Sequence, residues 1–235
     1  MELIEGIVVK TIDYLEKDKI IYLITPKGKV SLILKGAKNI KSGTFMYSNE
    51  ISKIEYDSSK NYLTAGRLLD SYVNIKLNYD KFSSVLLIIE ISYLLVDHID
   101  DYKTFYNFLS DILKLINDGQ NHLLLNIIFR LKILYLLGVA PVFNKCVECD
   151  SRENLIGFSF YGGGMKCSSH IENNDYIYDN QVISVLRVLY NTKLNEINLN
   201  MDIDFGSLDD FLTRYYEYYL GFKSKVKKII EDCEK

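Results

Sequence analysis

Three of the four cysteines of this chain fall in one short stretch, at the spacing of metal ligands. Cys146-x-x-Cys149 is followed, seventeen residues on, by Cys167-x-x-His170. Each pair wraps two donors around one edge of a tetrahedron, and two such pairs on facing turns make a zinc knuckle or ribbon. Between them, Gly157 and Gly162-Gly163-Gly164 suit a hairpin that returns the second pair to the first. A disulfide or a redox dithiol is the competing reading, and a chain without an export signal argues against it. Four protein ligands leave no open position for water, so the expectation is one structural Zn2+ per chain. The His-x-Glu and Pro-Cys-x-x-Cys elements of zinc deaminases are absent. Cys233 has no partner at ligand spacing and reads as incidental.

Other chemistry is scarce. Neither a phosphate-binding GxxxxGK[ST] loop nor a GxGxxG dinucleotide turn occurs. Asp97-His98-Ile99-Asp100-Asp101 places residues 97 and 101 at the spacing of one helix face, which suits a divalent metal or simply a polar helix end. His122, beside Asn121 at a helix start, reads as a capping residue. No convergent set of carboxylates with a base is visible, so a metal-dependent hydrolase is the weakest of three readings and the protein is not expected to be an enzyme.

The second feature with chemical content is a charge pattern. The 235 residues carry a net charge of −3, which taken alone argues against a nucleic-acid partner. Yet no acidic residue lies between Asp18 and Glu50, while Lys19, Lys27, Lys29, Lys35, Lys38 and Lys41 fall inside that window. A one-signed window in an acidic chain marks a local anion-binding surface. Lys35, Lys38 and Lys41 are the leading candidates to contact DNA phosphates, with Lys10, Lys19, Lys29 and Arg67 as neighbours. The alternative is a solvated basic face. Tyr22, Phe45, Tyr47 and Tyr62 are candidate platforms for stacked bases, or else core residues. Lys223, Lys225, Lys227 and Lys228 form a second basic cluster, better read as a favourable cationic helix terminus.

These residues must be held by two kinds of element. Up to about residue 77 the chain reads as strands: Leu3–Lys10, Lys19–Thr25, Lys29–Lys35, Met46–Tyr56 and Tyr62–Leu69. Five strands without a long helix between them fit a small barrel of the OB type. From Asn78 the period becomes helical, with helices expected from Phe82 to Val96, Thr104 to Ile116, Asn121 to Leu137 and around Val182–Leu189. Ser207-Leu208-Asp209-Asp210 resembles a capping box opening a last helix that Gly221 ends. The fold class is therefore α+β: an OB-type domain over 1–77 and a helical domain over 78–235, with a zinc-binding insertion at 144–175. An acidic start and no apolar run long enough to span a bilayer point to a cytoplasmic protein.

Several segments resemble the RecO recombination-mediator family. They are Glu5-Gly6-Ile7-Val8-Val9-Lys10-Thr11, Glu16-Lys17-Asp18-Lys19-Ile20, Lys35-Gly36-Ala37-Lys38, Leu136-Leu137-Gly138-Val139-Ala140-Pro141 before the first cysteine pair, Gly157-Phe158-Ser159 and Leu220-Gly221-Phe222-Lys223-Ser224. They occur in the family's order along nearly the whole chain. The resemblance implies a nucleoid-associated bacterial protein that binds single- and double-stranded DNA and anneals complementary strands. It further implies a partnership with RecR and help in exchanging single-stranded-DNA-binding protein for RecA during repair. The basic loop departs from the family in carrying lysines where arginines are common, and His170 stands where many members have cysteine. A protein-interaction adaptor that does not touch DNA is the competing reading.

Overall fold

The computed structural model describes residues 2–63, 65–178, 180–201 and 203–233. The architecture is α+β, with an N-terminal curled sheet of OB type followed by helices. Contacts gather the chain into two compact units, one running through His122 and resuming at Lys225, the other from Leu123 to Ser224. Among the described residues no helix is long and apolar enough to cross a membrane.

In the first unit, β1 (Leu3–Tyr14), β2 (Asp18–Thr25) and β3 (Gly28–Leu34) form an antiparallel meander. β4 (Ser52–Asp57) pairs with the other side of β1, β5 (Tyr62–Leu63) runs parallel to β3, and β6 (Arg67–Asp70) pairs with β4. The order β5-β3-β2-β1-β4-β6 puts the consecutive strands β5 and β6 on opposite edges. Only residues 64–66 separate them, so the sheet must curl to let the chain cross. The curl encloses Val8, Ile21, Leu23, Leu32, Leu34, Ile54, Tyr56 and Leu63.

The strand boundaries differ from the sequence expectation at three places. The first strand continues past Lys10 to Tyr14. The expected Met46–Tyr56 strand begins as a 3-10 turn at Phe45–Ser48, and Ile51 takes a left-handed φ of 55° before extended pairing starts at Ser52. Tyr62–Leu69 is two strands, broken at Gly66, where a Cβ would sit 2.8 Å from the Glu55 carbonyl. Both breaks fall on residues depleted in strands, Asn49-Glu50 and Ala65-Gly66, a signal that the strand reading passed over.

A short α1 (Val73–Lys76) leads into α2 (Tyr79–Leu95), whose N-terminus is capped by the Asn78 side chain accepting from the Lys81 N–H at 2.9 Å. α3 (Tyr102–Asn117) is capped by Asp101. These helices meet the outer face of the sheet. Tyr93 lies edge-on to Tyr22 with ring centroids 5.3 Å apart, and Tyr106 donates to Glu5 at 3.1 Å. The 97–101 segment is not one helix face. Val96–His98 is a 3-10 turn, Asp97 pairs with Lys29, and Asp101 accepts from the Thr104 N–H.

In the second unit, α4 (His122–Leu136) is buried on nearly every side and ends at Gly138 in the left-handed region. His122 does not cap with its ring, since its buried Nδ1 has no partner among the described residues. A hairpin of β7 (Leu155–Ser159) and β8 (Gly164–Cys167) is followed by α5 (Asn180–Asn191) and α6 (Phe205–Leu220). Phe143, Phe158, Phe160, Phe211 and Tyr215 pack ring against ring between hairpin and helix. α6 starts earlier than expected: Asp204 is its cap, accepting from the Ser207 N–H at 3.1 Å, and Gly221 ends it.

α6 is not the last helix. α7 (Lys225–Cys233) follows, with its opening N–H groups of Lys225 and Val226 donating to Glu90 at 2.9 and 3.4 Å. The basic cluster therefore stands at a helix N-terminus, where the dipole disfavours cations, and Glu90 supplies the anion that offsets it. Lys223 precedes this helix and pairs with Glu217 at 3.5 Å. The Cys233 side chain lies outside the described residues.

The pleat of the meander makes a prediction. Leu23 points into the curl with no exposed surface, whereas Ser31, one position along β3 from Leu23's partner Val30, is exposed. Leu23→Ala is expected to cost about 3 kcal/mol by leaving a cavity. Ser31→Ala is expected to change stability by less than about 0.5 kcal/mol. Urea denaturation of the two variants measures both.

Candidate metal centre and nucleic-acid interface

The first cysteine pair lies on a tight turn after α4. Its shape comes from backbone bonds: Cys146 donates to the Ser151 carbonyl at 2.7 Å and Asp150 to the Cys146 carbonyl at 2.9 Å, with Asp150 left-handed at φ 59°. The second pair caps the end of β8, where the N–H groups of His170 and Ile171 both donate to the Cys167 carbonyl. Val147 donates to Met165 at 2.9 Å and so ties the first turn to the hairpin. Glycine is required where the elements meet. A Cβ on Gly164 would lie 2.7 Å from the Val142 Cβ and carbonyl and from Val147, and one on Gly157 would overlap Ile171 at 2.1 Å.

The consequence is a converged donor set. Sγ of Cys146, Cys149 and Cys167 and a ring nitrogen of His170 all lie within 4.8 Å of one another. Cys149 and Cys167 sulfurs are 3.8 Å apart, and His170 Nδ1 is 3.2 Å from the Cys167 sulfur. A tetrahedral ion with metal–sulfur bonds of about 2.3 Å requires sulfurs about 3.8 Å apart, so the donor set fits one such ion. No other group of three or more His, Cys, Asp or Glu side chains gathers in this way among the described residues.

The electrostatics favour ligand-ready sulfur at Cys146 and Cys167 but not at Cys149. There the Ser151 N–H pulls the thiol down, and burial with the neighbouring Cys146 and Cys167 sulfurs pushes it up by more. Burial pushes the Cys146 thiol up, but the N–H groups of Cys167, Glu148 and Cys149 pull it further down, to about 6. Cys167 is lowered first by its hydrogen bond with His170, and His170 is raised by the same contact. A metal ion would take the place of the shared proton.

The sequence reading missed one residue here. Lys166, on β8 beside a ligand, is 2% exposed and pairs with Glu148 at 3.6 Å, Glu172 at 3.3 Å and Asp175 at 3.4 Å. Glu148 sits inside the first ligand turn, and Glu172 and Asp175 follow the second. Burial pulls the Lys166 ammonium down, but the Glu172 and Asp175 carboxylates outweigh it and hold the lysine charged. One cation thus joins both ligand turns. Charge alternation along the sequence gives no hint of it, because the partners meet only across the hairpin.

The first unit sorts the candidate lysines by partner. Lys29 is committed: it pairs with Asp97 and donates to the Tyr93 carbonyl at 3.2 Å. Lys38 donates to the Leu15 carbonyl at 2.8 Å, lies 3.4 Å from Asp13, and so joins the basic loop to the β1–β2 turn. Lys10, Lys19, Lys35, Lys41 and Arg67 have no carboxylate partner among the described residues. Lys10 stands 4.4 Å from the Tyr93 ring centre, Lys19 5.8 Å from Phe45 and Lys35 5.2 Å from Tyr62. Lys60, in the turn before β5, joins them at 5.9 Å from Tyr62, a residue the sequence reading did not single out.

Two family models match the chain in succession. Residues 1–65 match "Recombination protein O N terminal", and residues 76–228 match "Recombination protein O C terminal". The chain belongs to the recombination protein O family. Relatives called "DNA repair protein RecO" agree over almost the full length of both chains. That of Halalkalibacterium halodurans is 26% identical over 98% of this chain and 94% of its own. Those of an Exiguobacterium species and of Bacillus cytotoxicus are each 27% identical, over 98% and 99% of this chain and 96% and 97% of their own. RecO membership gives the chain a role in DNA repair by recombination.

The metal centre is testable through folding. Adding zinc to metal-free protein is expected to raise the thermal midpoint, because an ion that binds only the folded state stabilises it. Cys149→Ser should abolish that rise. Gly164→Ala, which forces a methyl group into Val142 and Val147, should cost about 2 kcal/mol. Differential scanning calorimetry with and without zinc reads all three.

Proposed function

We propose that the curled sheet binds DNA through its unpartnered cations and that the protein acts in recombination by annealing strands without catalysis. What carries this reading is the sorting of lysines just described. Phosphates need ammonium groups that are not already neutralised, and Lys35 and Lys41 offer them on one basic loop, with Lys10 on β1, Lys19 on β2 and Arg67 on the opposite edge strand β6. Lys38 serves by shaping the loop, and Lys29 stands behind it, paired with Asp97. Lysine suits sequence-independent contact, being a point charge without bidentate base readout.

The metal centre takes part as a structural Zn2+ site. All its donors come from the protein, and the ion's contribution is to hold two turns together. Annealing needs no fuel. Two complementary strands repel through their phosphates, and a basic surface screens that repulsion while base pairing supplies the driving force. Its place in repair would be beside RecR, helping RecA replace single-stranded-DNA-binding protein on single- or double-stranded substrates in the bacterial nucleoid and cytoplasm. Membership in a family named for recombination and DNA repair supports a role among recombination partners.

Salt dependence tests the reading. The slope of log affinity against log salt for single-stranded DNA should fall by about 1.4 in the Lys35→Ala, Lys41→Ala double variant, at about 0.7 per contact. Annealing of complementary oligonucleotides should proceed without ATP and slow in the same variant. An unchanged slope would make the loop a solvated face. Absence of DNA binding by the wild-type chain would favour the adaptor reading.

A further inference from the structure

Tyr22, Phe45, Tyr47 and Tyr62 are the rings that the sequence marks as candidate platforms for bases, and the structure separates them. Tyr47 is 7% exposed and donates its hydroxyl to the Gly66 carbonyl at 2.7 Å, inside the curl. Tyr22 is half-buried against Tyr93, and Phe45 is half-buried. Tyr62 reaches solvent at 37% exposure, and no other ring packs on it among the described residues. It stands on the two-residue edge strand β5.

Register defines its surroundings. Ile12 pairs with Ile20, Ile20 with Ile33 and Ile33 with Tyr62, so one row crosses four strands and ends on the tyrosine. The three isoleucines are each only partly covered. Lys35 and Lys60 bring their ammonium groups to 5.2 and 5.9 Å from the Tyr62 ring centre, and neither has a carboxylate partner among the described residues. A flat ring beside an apolar strip, flanked by two free cations, complements the two halves of a nucleotide. The base has a π-face that stacks on tyrosine, and the phosphates on either side of it take the ammonium groups.

We propose that Tyr62, with Lys35 and Lys60, forms a stacking subsite for one unpaired base of single-stranded DNA. This rests on the reading of the curled sheet as a DNA-binding surface and adds the part of the strand that is held there. A duplex hides its base faces inside the helix, so the subsite distinguishes the two forms of DNA: lysines serve both, and the ring serves only the single strand.

The experiment compares wild type, Tyr62→Phe, Tyr62→Ala and Lys35→Ala in full-length protein by fluorescence anisotropy. The probes are oligo-dT, an abasic strand of equal length and a duplex. Tyr62→Ala is expected to weaken oligo-dT binding roughly 5- to 150-fold, the range for loss of one base stack. Its salt slope should stay unchanged because no cation is lost. Tyr62→Phe should bind within about twofold of wild type, and the abasic strand and the duplex should not sense the ring. Lys35→Ala should weaken binding to all three probes and lower the slope. Equal oligo-dT affinity of wild type and Tyr62→Ala would overturn the subsite while leaving the lysine surface standing. A Tyr62→Ala loss that persists on the abasic strand would overturn it too, since the ring would then act through the fold or the ammonium groups. If Lys35→Ala also changes nothing, the assignment of phosphate contacts to Lys35 falls as well, and if wild type binds none of the probes the DNA-binding reading itself falls.

Discussion

The pleat of the β1–β2–β3 meander governs where everything in the first unit faces. Successive side chains along a strand point to opposite sides, so antiparallel register divides the three strands into two sets. Val8, Ile21, Leu23, Leu32 and Leu34 enter the curl, while Tyr22, Ser31, Ile33 and Lys35 lie on the other face. An irregularity in the β1–β2 register between Val8 and Lys10 switches the alternation so that Lys10 joins them. A shift of one residue would bury lysines and expose leucines. The apolar burial that stabilises the sheet thus also compels the cations outward. Part of that outer face is then covered by α2, whose Tyr93 receives Tyr22 and Lys10. The remainder, toward Ile12, Ile33 and the edge strand, stays open.

In the second unit the corresponding constraint is steric. Gly164 admits no Cβ because Val142 and Val147 press on it from both sides, and that pressure brings the Cys146 turn against the hairpin carrying Cys167. Converged sulfurs would repel once deprotonated. Backbone N–H groups aimed at Cys146 and the His170 ring against Cys167 relieve that cost. Lys166 adds a positive centre beneath both ligand turns. The donor arrangement is therefore held by packing, hydrogen bonds and an ion pair hub.

Net charge is a poor guide to such a molecule. A chain at −3 carries its excess of acid largely outside the first strands. Within them, the useful quantity is the number of cations left without a partner once the chain folds. Lys27, Lys29, Lys38 and Lys53 all find carboxylates, two of them from residues far along the chain. Such surface pairs add little stability, on the order of 0–1 kcal/mol each, but they withdraw charge from any ligand.

The amino-acid sequence by itself determined what is local. Cys-x-x-Cys and Cys-x-x-His spacing marked the four side chains whose donor atoms converge, because each pair spans a single turn, and the glycine run between them marked the hairpin. Alternation in Lys29–Lys35 and helical spacing after Asn78 revealed the elements because pleat and helix impose periods of two and 3.6 residues. The acid-free window after Asp18 marked the basic loop. Tertiary structure alone decided what depends on distant neighbours. It broke the Met46–Tyr56 and Tyr62–Leu69 segments at Asn49-Glu50 and Ala65-Gly66, residues poor in strand propensity that alternation alone had run through, because a curled sheet needs corners. It moved the α6 cap to Asp204 and added α7 beyond Gly221, since helix ends are chosen by whichever side chain satisfies the free N–H groups. It paired Lys29 with Asp97, gathered three carboxylates on Lys166 and left Tyr62 open beside Lys35. Those outcomes are through-space, and a linear pattern carries no record of which side chains the fold will bring together.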